Sequence, residues 1–152
     1  MDAKTVAELR AQTGAGVMDC KKALEESKGD FEKAKKILAS NAASIAKKKA
    51  ERATKHGLIE SYVHGGRIGV LLEIASESDF VAKNAEFKEL AHQICLQIAS
   101  MGPKNVEELL KQEFIMDSSQ TVQDLIESKI AKIRENIKIN RFIRFELGEE
   151  EN

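Results

Sequence analysis

The sequence predicts an α+β protein in two parts. A small module of three short helices occupies residues 1–41, and a basic linker helix over 42–56 leads into a core over 57–152. In that core a three-stranded antiparallel sheet packs against helices. Three observations predict this division. Apolar residues recur at helical spacing through the first part, the period changes to two from Gly57, and a helical period returns before a final alternating run closes the chain.

In the module, Val6 and Leu9 share one helical face, Gly14-Ala15-Gly16 breaks the helix, and Val17, Cys20, Ala23 and Leu24 restart the period. Gly29 has the place of a residue just past a helix end, and Asp30 that of the next N-cap. Phe31, Ala34, Ile37 and Leu38 then supply a third apolar face. The following stretch, "NAASIAKKKAERATKHG", has good helix formers but only Ile45 as a large apolar residue. It therefore reads as a solvated connecting helix that ends at Gly57.

Beyond it, Ile59, Ser61 and Val63 lie on one face of a strand, and Ile68, Val70, Leu72 and Ile74 on one face of the next. His64-Gly65-Gly66-Arg67 between them is a hairpin signal, because paired glycines accept the positive φ of a tight turn. Leu71 and Ala75 on the opposite side suggest that the second strand is covered on both faces. After the corner "SESDFVAKN", a helix carries Phe87, Leu90, Ala91, Ile94, Cys95 and Ile98 on one stripe and stops at Met101-Gly102-Pro103. A short polar helix around "NVEELLKQ" precedes a longer one with Val122, Leu125, Ile126, Ile130 and Ile133. The last strand alternates Ile137, Ile139, Ile143, Phe145 and Leu147 with Lys138, Asn140, Phe142, Arg144 and Glu146. It is expected to join the hairpin, with the two long helices covering one face, and the acidic tail "GEEEN" to fray.

Composition narrows the function. With 24 Lys and Arg against 25 Asp and Glu, a net charge of −1, the molecule has no global field to recruit nucleic acid or an anionic membrane. Hydrophobic residues at 42% and charged residues at 32% suit a soluble helix-rich protein, and no run approaches the roughly 18 apolar residues of a membrane span. Cys20 and Cys95 show no metal-ligand spacing, and they are expected in a reducing compartment.

His56, His64 and His92 form no ligand pair, so neither metal nor cofactor is expected. Cys20 reads as helix packing rather than as a nucleophile, and His92 as a flanking residue. Gly14-Ala15-Gly16 lacks the Gly-Lys-Ser/Thr of a phosphate loop. The triplet Lys47-Lys48-Lys49 has no interleaved aromatic residues, so a solvated linker is favoured over a nucleic-acid patch. The residues read this way describe a binding protein without chemistry of its own and leave its partner unnamed.

The corner poses its own question, since Phe80 is a large ring beside Asp79 at a strand-to-helix junction. Phe80 is either the first core residue of the next helix or a ring presented to a partner. Here the residues carry a resemblance. "LRAQTGAGVMDCKKALEESKGDFEKAKKIL" resembles the N-terminal domain of translation elongation factor Ts, and "ESDFVAKN" resembles that family's signature, usually Glu-Thr-Asp-Phe-Val-Ala-Arg/Lys-Asn. "SYVHGGRIGVLLEI" and "IAKIRENIKINRFIRFELGE" resemble family segments in the same order, so the likeness covers nearly the whole chain.

The resemblance implies a three-helix module of the ubiquitin-associated type and a dimerisation-type α+β core. It also implies guanine-nucleotide exchange on elongation factor Tu, in a bacterial cytoplasm or the interior of a plastid or mitochondrion. On that footing Asp79 and Phe80 reach the GTPase domain, the ring wedging between its helices to disturb the magnesium and phosphate site, with Val81, Lys83 and Asn84 supporting the corner. Leu9, Arg10, Thr13, Gly14, Gly16 and Val17 are implied to dock the module on the same domain. No cofactor and no direct nucleotide binding are implied, whereas a homodimer is, by analogy with single-core relatives.

The wedge requires Phe80 to be exposed in the free protein. Ser78 replaces the usual threonine and keeps its hydroxyl, Arg134 stands where the family has glycine in Ile-Gly-Glu-Asn, and the core is shortened. A ribosome- or RNA-associated binding protein built on the same fold is the alternative.

Overall fold

The computed structural model describes residues 2–150. The chain divides into two compact units, one running through Glu51 and including Ile126–Arg134, the other holding Arg52–Leu125 and the closing strand.

The first unit contains α1 (Ala3–Thr13), α2 (Val17–Glu26) and α3 (Phe31–Lys49). Asp2 caps α1 by accepting the Thr5 N–H at 2.7 Å, and Gly14, at φ +71°, ends it by donating to the Arg10 carbonyl. Asp30 caps α3 through the Lys33 N–H, as expected. Leu9, Cys20, Ala23, Leu24, Ala34 and Leu38 form the core, with Phe31 and Ile37 packed against it.

The expected break at 41/42 is absent, because α3 continues to Lys49 without interruption and ends well before Gly57. Its buried stripe continues from Ala34 and Leu38 through Ala42 and Ala46, at a spacing of four residues. Alanine buries its face with a single methyl, so a search for large apolar side chains passes over it.

The second unit is built on a sheet of β1 (His56–His64), β2 (Ile68–Ser76) and β5 (Ile137–Glu146), antiparallel in the order β1-β2-β5. Gly65 and Gly66 both have positive φ, and the Arg67 N–H closes the hairpin on the His64 carbonyl at 3.0 Å. Between β2 and β5 stand α4 (Asp79–Ala82), α5 (Ala85–Met101), α6 (Val106–Lys111) and a small hairpin of β3 (Glu113–Phe114) and β4 (Asp117–Thr121). Then comes α7 (Val122–Ile133).

The small hairpin has no alternating signal in the sequence. It is tied to α5 by the buried Gln97, whose Nε2 donates to the Glu113 carbonyl at 3.0 Å and whose Oε1 accepts the Ile115 N–H at 2.9 Å. The helices packed on β1 and β2 are α5 and the short α4, not two long helices, since most of α7, from Ile126 on, groups with the first unit.

The final strand departs from its sequence pattern. Glu73 pairs with Arg141 but the next residue, Ile74, pairs with Ile139, so Asn140 is an extra residue in a bulge. The bulge reverses the alternation. Ile137 and Ile139 are buried, and beyond the bulge the less exposed positions become Phe142 and Arg144. Arg144 uses its place to cap α5, donating to the carbonyls of Ile98 at 3.1 Å and Ala99 at 3.0 Å, where the helix dipole favours a cation.

Ile143 and Phe145 turn to the other face, beside Leu71 of β2 and the exposed Ile59 and Val63 of β1. Covering of β2 on that second face reaches the buried Ala75 but not Leu71, which is exposed. Among the described residues no helix is long and apolar enough to cross a membrane.

Candidate functional site

The corner after β2 is set by caps. Ser78, in extended backbone, is the N-cap of α4, and its Oγ accepts the Val81 N–H at 3.2 Å. Val81 and Ala82 are buried and anchor the four-residue helix to its unit. Asn84 then caps α5 by accepting the Glu86 N–H at 2.7 Å, so the direction of the chain is fixed on both sides of the turn. Between the anchors Phe80 points outward and is 84% exposed. Of the two readings of this ring, that of a core residue of the following helix does not hold, because Phe87 takes that place and is fully buried.

Asp79 and Lys83 lie one turn apart on the exposed side, with Oδ2 and Nζ 2.9 Å apart. The hydrogen bond and charge of Lys83 hold the Asp79 carboxyl below its usual range, and Asp79 in turn raises Lys83. Both groups stand in solvent, so this pair contributes little to folding. Its consequence is local, since the carboxylate beside Phe80 is ionised and already held in one direction.

A second layer of contacts lies behind the corner. Glu135 accepts the Ser78 N–H at 2.9 Å on one oxygen and the Ser78 hydroxyl at 2.6 Å on the other. Reciprocally, the Asn136 N–H donates to Glu77, whose other oxygen lies 3.7 Å from the Arg52 guanidinium. The Asn136 side-chain amide donates to the Arg52 carbonyl at 2.9 Å, and the Ser76 hydroxyl to the Ser78 carbonyl at 2.9 Å. Sequence reasoning did not find this network, because its partners are separated by 57 and 59 residues and no local periodicity links them.

In the first unit the residues named for docking divide into two kinds. Arg10 and Val17 are exposed and line a shallow groove with Ala7, Ala11, Gly14 and Lys21. Leu9 is completely enclosed in the core, so its part is to hold the module together rather than to touch a partner. Thr13 is half-buried; its hydroxyl donates to the Leu9 carbonyl at 2.7 Å and accepts the Ala15 N–H at 3.3 Å, shaping the turn. Gly16 is the N-cap of α2 with ordinary negative φ, so of the two named glycines only Gly14 needs glycine for its backbone.

Both cysteines are enclosed. Burial pushes the Cys20 thiol up from its ordinary value and the Cys95 thiol up to about 12, the reverse of what a nucleophile needs. Among the described residues no three His, Cys, Asp or Glu are grouped to hold a metal ion.

Comparison with known proteins bears on this arrangement. A family model described as Elongation factor TS matches residues 77–152, beginning at the corner itself. Elongation factor Ts of Thermotoga neapolitana is 44% identical, with 95% of this chain and 96% of the relative covered. The chain belongs to the elongation factor Ts family.

Elongation factor Ts of Carboxydothermus hydrogenoformans is 45% identical, with 95% of this chain and 88% of the relative covered. For that of Coprothermobacter proteolyticus the figures are 40%, 98% and 99%. These alignments run over 189 to 195 positions against 152 residues here, so each relative has stretches without a counterpart in this chain. The chain is thus shorter than these relatives, which are members of a family of translation elongation factors.

Proposed function

We propose that this chain promotes release of GDP from elongation factor Tu, with Phe80 as the wedge and Asp79 directing it, while Arg10, Val17 and the groove around Gly14 dock the N-terminal module. The observation that carries this reading is the 84% exposure of Phe80 on a helix whose next two residues are buried. An aromatic ring held outward on a firmly seated corner offers a partner a large, rigid contact at low entropy cost.

The mechanism is thermodynamic linkage. Nucleotide and magnesium are held by many charge-assisted contacts. A protein that binds the nucleotide-free GTPase more tightly than the GDP-bound form must weaken GDP by the same factor. No bond is made or broken by this chain, and its work is done by placing one ring.

The same reading includes a homodimer formed through the open face of the sheet. Ile59, Val63, Leu71, Ile143 and Phe145 are exposed on one face, whereas the opposite face is covered by α5. A sheet apolar on both sides calls for a second layer, and a second copy brings the same face in a self-complementary way. Ile143→Glu is then expected to give a monomer in sedimentation equilibrium where the parent chain is a dimer. A monomeric parent at micromolar concentration contradicts this part of the reading. The proposed compartment is the bacterial cytoplasm.

The exchange reading is tested by measuring affinity for nucleotide-free and GDP-bound elongation factor Tu by calorimetry. The parent chain is expected to prefer the nucleotide-free form, and Phe80→Ala to reduce that preference by at least about tenfold, as loss of a central aromatic contact does. Equal affinities for the two forms overturn the proposal.

A further inference from the structure

Phe80 is almost wholly in solvent, so packing around its own ring cannot hold it in place. Its position follows from its backbone, and α4 is only four residues long, too short to persist unaided. What holds the first turn is Ser78, and three of its polar groups are engaged by side chains outside the helix. The N–H and hydroxyl go to the two oxygens of Glu135, and the carbonyl accepts from Ser76. The Ser78 hydroxyl thus donates to Glu135 while accepting from the Val81 N–H, so the carboxylate orients the cap as well as gripping the chain.

Hydrogen bonds to an ionised carboxylate are stronger than neutral ones, and two on one residue fix direction as well as distance. The neighbouring pair repeats the arrangement in reverse, Glu77 accepting from Asn136. Two consecutive residues before the ring and two on the strand side of α7 thereby hold each other crosswise.

We propose that Glu135 is a positioning residue for Phe80, acting through Ser78, and that it presets the ring for its partner before contact. The proposal rests on the exchange reading above for its consequence but not for its geometry. Removal of the Glu135 carboxylate leaves the Phe80 side chain and the N-terminal module chemically unaltered but frees the corner that carries the ring. The exchange rate at saturation should then fall while the half-saturating concentration changes little. A misplacement of about 1 Å in a positioned group can cost up to about a hundredfold in rate, and a roughly tenfold fall is expected here.

The variants are Glu135→Ala and Glu135→Gln, each alone, and Glu135→Ala combined with Phe80→Ala. Two readouts are used. In the free protein, amide hydrogen exchange of Ala82, Lys83 and Asn84 is expected to quicken by about tenfold in Glu135→Ala, with the amides of α5 unchanged, as for local opening. This arm needs no partner. In GDP release from elongation factor Tu, Glu135→Ala is expected to lower the plateau and Glu135→Gln to lower it less. In the Phe80→Ala background, loss of Glu135 is expected to have no further effect.

Unchanged exchange of the α4 amides overturns the positioning role whether or not the chain acts on the GTPase. Faster α4 exchange without any acceleration of GDP release by the parent chain keeps the positioning and removes the exchange reading. A plateau loss of equal size with and without Phe80 shows a merely structural role and overturns the proposal.

Discussion

Arg134 follows α7 with φ at +69°, donating its N–H to the Ile130 carbonyl at 2.8 Å. This is the left-handed conformation that ends many helices, and the family's usual residue there is glycine. With a β-carbon present, that conformation costs about 1–2 kcal/mol. Glycine avoids the clash but has a looser unfolded chain, which returns about 0.5–1 kcal/mol of the gain. Replacing Arg134 by either glycine or alanine removes the same cation from the helix end, so the comparison between the two variants isolates the backbone.

Arg134→Gly is therefore expected to be more stable than Arg134→Ala by about 0.5–1 kcal/mol. For a chain of this length that is a difference of roughly 1–4 °C in Tm. Thermal melts followed by circular dichroism, checked against urea midpoints, measure it. Equal melting of the two variants, or a higher Tm for alanine, refutes the backbone argument and shows that the turn relaxes around the side chain.

Other consequences are as direct. Gln97→Leu removes both partners of the β3–β4 hairpin, leaving the Glu113 carbonyl and Ile115 N–H unmatched, and should destabilise by about 1–3 kcal/mol in urea titrations. The Cys95 thiol, raised to about 12 by burial and then by Glu60, is neutral when protonated. Its contribution is therefore intact below the ordinary thiol range and is lost as pH rises from about 9 towards about 12. Stability should fall over that interval, and both enclosed cysteines should react with a thiol reagent at pH 8 only after unfolding.

Much of the frame was legible because its signals are local. The stripe on α5 and the cap at Asp30 declare themselves within one or two turns, and Gly65-Gly66 does so within a single hairpin. The misreadings have a common physical origin in pairing or packing that the sequence does not display. The phase of β5 changes at Asn140 because β2 sets its register, and α3 runs on because alanine suffices at Ala42 and Ala46. The corner was legible as a motif, but the grip of Glu135 on Ser78 was not. A carboxylate that serves a cap from 57 residues away looks like any other surface acid.

The measurement that bears most directly on the account is release of a fluorescent GDP analogue from elongation factor Tu, chased with unlabelled GDP. It is made with the parent chain, Phe80→Ala and Asp79→Ala, each first shown to be folded. The account predicts acceleration that rises with concentration to a plateau, is largely abolished by Phe80→Ala and is reduced by Asp79→Ala. Release at the intrinsic rate with the parent chain, or full acceleration by Phe80→Ala, contradicts it. Steep salt-dependent RNA binding that survives Phe80→Ala would then favour a ribosome-associated role instead.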